Sequence, residues 1–201
     1  IKRYCLLHDF PTSILSKLLF GFIFGNHWFC INRIMQATTY TTPNYDTRLQ
    51  TQTFDWMLQY DEHLTYACTF TLEQFDNNLT AEQAWKQWQH FCNKLNYNLY
   101  GKAAKRYNKT LLILATLHGE ISGKNLHMHA AIGCVDRDYS FEKLRAVINA
   151  TWRELKWTKN ETDIQQYRNA NWLGYMLHES VRLDLSSVDL TRCSIPAALK
   201  A

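Results

Sequence analysis

Apolar positions recur along the chain in two different periods, and the switches between them mark out its elements. The segment Leu64-Thr-Tyr-Ala-Cys-Thr-Phe-Thr71 is dense in β-branched and aromatic residues and gives way to polar positions 73–78, which predicts a strand. From Thr80 the period lengthens. Ala84, Trp88, Phe91 and Leu95 recur at helical spacing, and Thr80 with Gln83 forms a capping-box signature, so a helix is expected to run to about residue 98. Thr110-Leu-Leu-Ile-Leu-Ala-Thr-Leu-His-Gly-Glu120 reads as a second strand with an apolar body and a polar end. Ser122-Gly-Lys-Asn125 supplies turn residues, and Leu126-His-Met-His-Ala-Ala-Ile132 is the return strand of a hairpin. After Ser140, the positions Leu144, Val147, Ile148, Trp152 and Leu155 predict a helix over about 141–156. A short strand near 163–167 and a third helix over about 170–179 complete the order β-α-β-β-α-β-α. That order is the split βαβ pattern, and it predicts an α+β, ferredoxin-like fold: an antiparallel sheet with helices on one face.

Ahead of these elements the pattern changes. Residues 18–31 are the most apolar run, but they include Asn26 and His27 and follow Lys17. A spanning helix needs about 20 apolar residues, so no membrane span is expected, and the run reads as an extension packed on the domain or as leader sequence. Residues 36–52, rich in Thr, Asn and Gln around Pro43, read as a linker. The chain therefore divides into an apolar extension and polar linker over 1–55, a domain over 56–182 and a C-terminal tail over 183–201. A length of 201 residues excludes two large domains. With 46% hydrophobic residues, including seven Trp and ten Phe, the chain can bury a core and is no disordered tail. The six cysteines, at positions 5, 30, 68, 92, 134 and 193, have no C-x-x-C spacing, so they read as reduced thiols of an intracellular protein. A net charge of +4 suits a polyanionic partner without requiring one.

Candidate chemistry concentrates in His118-Gly-Glu-Ile-Ser-Gly-Lys-Asn-Leu-His-Met-His129. Strand alternation puts His127 and His129 on one face, with Leu126, Met128, Ala130 and Ile132 on the other. Two imidazoles at i and i+2 can aim at one divalent ion, and the hairpin is expected to return Glu120 beside them as an oxygen ligand. His118 shares the Glu120 face and competes as the third ligand. A His-x-His pair alone is also what an exposed strand face leaves. Mixed nitrogen and oxygen donors suit Mg²⁺ or Mn²⁺, with Zn²⁺ also compatible. Positions 119–124 fail as a phosphate loop, because three residues separate the glycines, Asn125 replaces the Ser or Thr, and a strand follows. In the third helix, Tyr175, His178 and Glu179 stand at i, i+3 and i+4 and share one side. Lys102, Lys105, Arg106 and Lys109, interleaved with Tyr100 and Tyr107, combine phosphate attraction with rings on which bases stack, as single-stranded nucleic acid would require. A solvated basic loop is the plainer reading.

In order and spacing, Thr69-Phe-Thr71, Glu120 upstream of His127-Met-His129, and Trp172-Leu-Gly-Tyr175 with a basic residue three positions on resemble the three motifs of HUH endonucleases. Within that superfamily the chain is most similar to the rolling-circle replication initiators, or Rep proteins, of small single-stranded-DNA viruses, phages and plasmids. The resemblance covers residues 64–182. It implies the HUH endonuclease fold, with Glu120, His127 and His129 holding Mg²⁺ or Mn²⁺. It also implies that Tyr175 attacks a DNA phosphodiester, forming a 5′-phosphotyrosine and releasing a 3′-hydroxyl. His178 stands where that branch carries Lys, and the implied role is to stabilise developing charge or position the ion. The implied partners are single-stranded DNA at a replication origin and a separate helicase and polymerase, in the cytoplasm of a bacterial host or the nucleus of a eukaryotic one. Two functions compete: a transposase or relaxase of the same superfamily, relaxases usually showing a three-histidine set, and a non-catalytic nucleic-acid-binding module.

Overall fold

A computed structural model describes residues 48–73, 79–120, 125–133, 139–181 and 188–200. The apolar run 18–31, the turn residues 122–124, and Cys5, Cys30 and Cys134 lie outside the described residues. The elements are α1 (Arg48–Leu58), β1 (Leu64–Leu72), α2 (Ala81–Tyr100), α3 (Lys102–Arg106), β2 (Leu112–His118), β3 (His127–Gly133), α4 (Phe141–Arg153), β4 (Thr158–Gln166) and α5 (Asn171–Met176). The strands form one antiparallel sheet in the order β2-β3-β1-β4. This is the α+β architecture that the alternating periods predict.

The predicted start signals operate as read. The Thr80 hydroxyl accepts from the Gln83 backbone N–H at 3.2 Å, and the Gln83 side chain accepts from the Thr80 N–H at 2.9 Å, closing the capping box that opens α2. The Ser140 hydroxyl caps α4 through the Lys143 N–H. Inward residues of β1 alternate down the strand, and Tyr66, Cys68, Phe70 and Leu72 pack beneath α2 and α4. The Phe70 ring lies 5.5, 5.2 and 4.8 Å from those of Trp88, Phe91 and Trp152, so aromatic burial dominates this layer.

Four expectations are corrected. Helices cover both faces of the sheet, not one: Phe54 and Met57 of α1 and Leu173 and Met176 of α5 pack against Leu112, Leu114 and Ala131 on the second face. For that reason β2 is buried along its whole length. Helix α1 also crosses the expected boundary between 55 and 56, its few apolar positions hidden in a Thr- and Gln-rich stretch that imitates a linker. The expected tail belongs to the same packing, because Ser194 and Ile113 exchange two backbone hydrogen bonds of 2.8 Å along the edge of β2, and Val188 is buried. Finally, the third helix ends at Met176 and resumes as a 3₁₀ turn at His178–Val181.

Strand β4 begins earlier than predicted, with polar Thr158, Lys159, Glu161 and Asp163 suited to an edge strand. Among the described residues Cys68, Cys92 and Cys193 are free thiols, and no helix is long and apolar enough to cross a membrane.

Candidate metal and tyrosine site

Strand register assembles the site. On the face opposite α2 and α4, His118, His127 and Thr71 occupy facing positions on β2, β3 and β1. One step along lie Thr116, His129, Thr69 and, on β4, Asp163. Neighbouring strands run about 4.8 Å apart, so side chains at facing positions meet. Ring centroids of His118 and His129 are 4.5 Å apart, those of His127 and His129 4.8 Å, and those of His118 and His127 5.6 Å. Helix α5 lays Trp172 and Tyr175 against His129, at 5.4 and 5.0 Å. The Tyr175 ring is sandwiched between Trp172 at 5.3 Å and His178 at 4.9 Å, and it remains 48% exposed. His178 in turn lies 4.8 Å from His118. The structure thus brings the side chains of Tyr175, His178, His127 and His129 together.

Hydrogen bonds decide which imidazole nitrogens carry lone pairs. A carbonyl can only accept, so a ring nitrogen beside one carries the proton and the other nitrogen of a neutral ring is bare. His118 donates through Nε2 to the Met176 carbonyl at 2.7 Å, His127 through Nδ1 to the Asn125 carbonyl at 2.9 Å, and His178 through Nδ1 to the Tyr175 carbonyl at 2.7 Å. His129 Nδ1 is held by the Thr69 hydroxyl at 3.0 Å. The remaining nitrogens of the two most buried rings, His118 Nδ1 and His129 Nε2, have no hydrogen-bond partner among the described residues.

Burial, reinforced by the neighbouring imidazoles, lowers His129 from 6.5 to about 2. Burial likewise lowers His118 to about 4, against the opposing pull of the Met176 carbonyl and the Glu179 carboxylate. Both rings are therefore neutral at physiological pH.

These are the features of a cation site: buried ring nitrogens close together without hydrogen-bond partners, and rings aimed by oxygens on their far sides. Ligand atoms of His118, His127 and His129 lie within 4.8 Å of one another, and a second such group, His118, His178 and Glu179, shares His118. The donor chemistry and the orphaned buried nitrogens fit a divalent ion.

The third member is His118 and not Glu120. β2 ends at His118, and Gly119 adopts φ 104°, a left-handed conformation open to glycine, which breaks the alternation that would have kept Glu120 on the histidine face. Glu120 is exposed and joins no candidate metal group among the described residues. The carboxylate that does approach is Glu179, whose Oε2 accepts the Gly119 N–H at 2.7 Å.

The four cations are not brought to the site. Lys102, Lys105 and Arg106 lie on α3 and Lys109 just beyond it, before the start of β2 at Leu112, whereas His118 ends that strand. At 3.3–3.4 Å per residue the two ends are about 20 Å apart. The Lys109 ammonium lies 4.6 Å over the Tyr100 ring instead. Three participants had no assigned task in the sequence reading: Thr69, Glu179 and Trp172. Their only signal was membership of the quoted motifs, since the register that sets Thr69 opposite His129 is a tertiary fact. No protein-family model, curated protein or solved structure matches the chain.

Proposed function

We propose that this chain is a metal-dependent HUH-type endonuclease that nicks and rejoins single-stranded DNA, with Tyr175 as nucleophile, to initiate rolling-circle replication. The observation that carries the reading is the contact of an accessible tyrosine with a cluster of oriented histidines: Tyr175 lies 5.0 Å from His129 and 4.9 Å from His178. The strand order β2-β3-β1-β4, with α2 and α4 as the crossovers, supports a ferredoxin-like sheet of the HUH kind.

His118, His127 and His129 would hold the ion. When bound, a divalent cation there withdraws charge from the nonbridging oxygens of a phosphodiester and orients it. The phenolic oxygen of Tyr175 forms a bond to phosphorus while the bond from phosphorus to the 3′ oxygen breaks, leaving a 5′-phosphotyrosine and a 3′-hydroxyl. The phenolic proton passes to the imidazole of His178, whose Nδ1 is fixed by the Tyr175 carbonyl so that Nε2 is the nitrogen left to take it. The same imidazole returns the proton to the leaving 3′ oxygen. Rejoining is the reverse reaction, with a 3′-hydroxyl attacking the phosphotyrosine. Single-stranded DNA and a separate helicase and polymerase are the proposed partners. Because the group that holds both strand histidines consists of three imidazoles, Mn²⁺ or Zn²⁺ suits the site better than Mg²⁺.

A second reading has one observation in its favour. The set His118, His127 and His129 is the three-histidine pattern usual in relaxases, so a conjugative relaxase of the same superfamily is the alternative. Support of autonomous replication of a circular DNA, as against its mobilisation between cells, separates the two.

The test of the activity is direct. Labelled single-stranded oligonucleotides incubated with the protein and Mn²⁺ are expected to yield a covalent adduct that survives a denaturing gel. The adduct should be absent with Tyr175→Phe and with His127→Ala/His129→Ala. An adduct formed by Tyr175→Phe overturns the nucleophile, and full cleavage by the double histidine variant overturns the metal site.

A further inference from the structure

A cavity of about 220 Å³ is lined by residues of α2, of the entry to β2 and of the C-terminal segment, none of which takes part in the tyrosine chemistry. Its wall holds four side-chain amides, three hydroxyls and two cations, Arg192 and Lys200, beside two thiols and Ile195, with no carboxylate among the described residues. Ser194 of that wall pairs with Ile113 near the start of β2, whereas His118 ends the strand. At about 3.3–3.4 Å per residue, the strand from Ile113 to His118 spans about 17 Å, so this cavity is separate from the histidine cluster.

Asn96 is the buried amide of the wall. It is 6% exposed, and its Oδ1 accepts the Leu111 N–H at 2.8 Å, which ties α2 to the entry of β2. That bond fixes which way round the amide lies, so the NH₂ is the group left over, and it has no hydrogen-bond partner among the described residues. An almost fully buried amide with both donors unused beside a cavity calls for an acceptor there. The C-terminal segment supplies an oriented cation. Asp189 caps the 3₁₀ turn Leu190–Arg192 by accepting the Thr191 N–H at 3.0 Å, and its other oxygen accepts the Arg192 Nε–H at 2.7 Å. The terminal NH₂ groups of that guanidinium have no partner among the described residues. Asp189 offsets one positive charge, and Glu82, which also feels Arg192, is paired with Lys86 at 2.7 Å. Lys200 has no ion pair among the described residues and keeps the site positive.

Size and donors together select the ligand. Cavities that take whole drug-sized molecules begin at about 300 Å³, so this one takes a smaller group. Its surplus is of donors: the Arg192 terminal nitrogens, the Lys200 ammonium, the Asn96 NH₂ and the hydroxyls of Thr110 and Ser194. Donors contributed by a helix, a strand entry and the C-terminal segment suit the several oxygens of a tetrahedral anion. A planar carboxylate would be satisfied by the guanidinium fork alone.

We infer that this cavity is a phosphate-binding site, taking a phosphate group that is either free or part of a nucleic-acid backbone. The inference stands apart from the nicking reading, since none of these residues belongs to the tyrosine site.

The probe is inorganic phosphate, titrated into the metal-free protein by calorimetry while the side-chain amide cross-peaks are followed by NMR. Saturable binding is expected below about 10 mM, with a shift of the Asn96 NH₂ cross-peaks, which are identified by their loss in Asn96→Asp. Asn96→Asp keeps the acceptor for the Leu111 N–H but exchanges the donor for a negative charge, and it should weaken binding by about tenfold or more, the factor of one charge-assisted hydrogen bond. If Asn96→Asp does not fold, Lys200→Gln decides: at this exposed position it should weaken binding about threefold with an unchanged thermal melt. Absence of saturable binding, or binding that these variants leave unchanged, overturns the site. Fluorescein-labelled oligodeoxythymidylate separates the two sources of phosphate. An affinity for it that falls in the same variants assigns a backbone phosphate, and an affinity that stays while phosphate binding is lost assigns free phosphate. A protein that forms the tyrosine adduct and binds no phosphate would sink this site alone.

Discussion

Met128 and His129 are neighbours on β3, and both are buried, yet they point into opposite environments. Met128 joins the layer under α2 and α4, where Phe70, Trp88, Phe91 and Trp152 fill the space with rings. His129 points to the other face, where Thr69 holds one of its nitrogens and the other has no hydrogen-bond partner among the described residues. On the first face burial stabilises. On the second it costs stability, because it keeps imidazoles neutral and their lone pairs bare, and such a cost is ordinarily retained at a functional site. One sheet thus supports a poised chemical face by making the opposite face densely aromatic.

The largest effect should come from breaking the packed face. Trp152→Ala removes a fully buried indole from the aromatic layer and is expected to cost about 3–5 kcal/mol in urea unfolding. Metal affinity, measured under conditions where the variant is folded, should be little changed.

Acid should strike the other face. In the metal-free protein the unfolded chain takes up protons at imidazoles below about pH 6.5. The folded chain refuses them until about pH 4 at His118 and about pH 2 at His129. The contribution of neutral rings is fully present above pH 6.5 and is lost as pH falls below it. Between pH 6.5 and 5 the loss should be on the order of 2 kcal/mol for each ring. Thermal melts across that range check this, and His118→Gln should remove its share of the slope. A melt that does not shift contradicts the buried, neutral assignment.

Smaller again is Thr69→Val, which keeps the volume but loses the hydroxyl beside His129 Nδ1. Removing an outer partner of a ligand typically lowers metal affinity about 10–100-fold. Titration calorimetry with Mn²⁺ or Zn²⁺ should find that loss with a nearly unchanged melt. Least of all, Lys102→Ala/Lys105→Ala/Arg106→Ala should change cleavage of a short oligonucleotide by less than about threefold in gel assays at about 0.1 M salt, because those charges lie a strand length from the tyrosine, beyond a Debye length of about 10 Å.

The same contrast explains what could be read from the sequence. Period and capping were sufficient for β1, α2, β2, β3 and α4, because each carries its own apolar stripe or alternation. Two members of the histidine cluster were legible for the same reason, since His127 and His129 must share a face of one strand. What escaped depends on contacts between segments. Glu120 and His118 are indistinguishable by parity, and the left-handed turn at Gly119 separates them. Helix α1 has Phe54 and Met57 as its buried apolar anchors amid Gln and Thr, so its packing on the second face was invisible. The distance of the basic residues from the site follows from the length of β2 and not from their nearness in sequence to His118.

The most direct measurement is to digest the product of the oligonucleotide reaction and locate the DNA-linked peptide by mass spectrometry. The expected result is one modified peptide carrying a 5′-linked nucleotide on Tyr175, dependent on added metal and lost with His118→Ala. Linkage to any other residue, or cleavage that leaves no nucleotide on the protein, would contradict the assignment of Tyr175 as the nucleophile served by the histidine cluster.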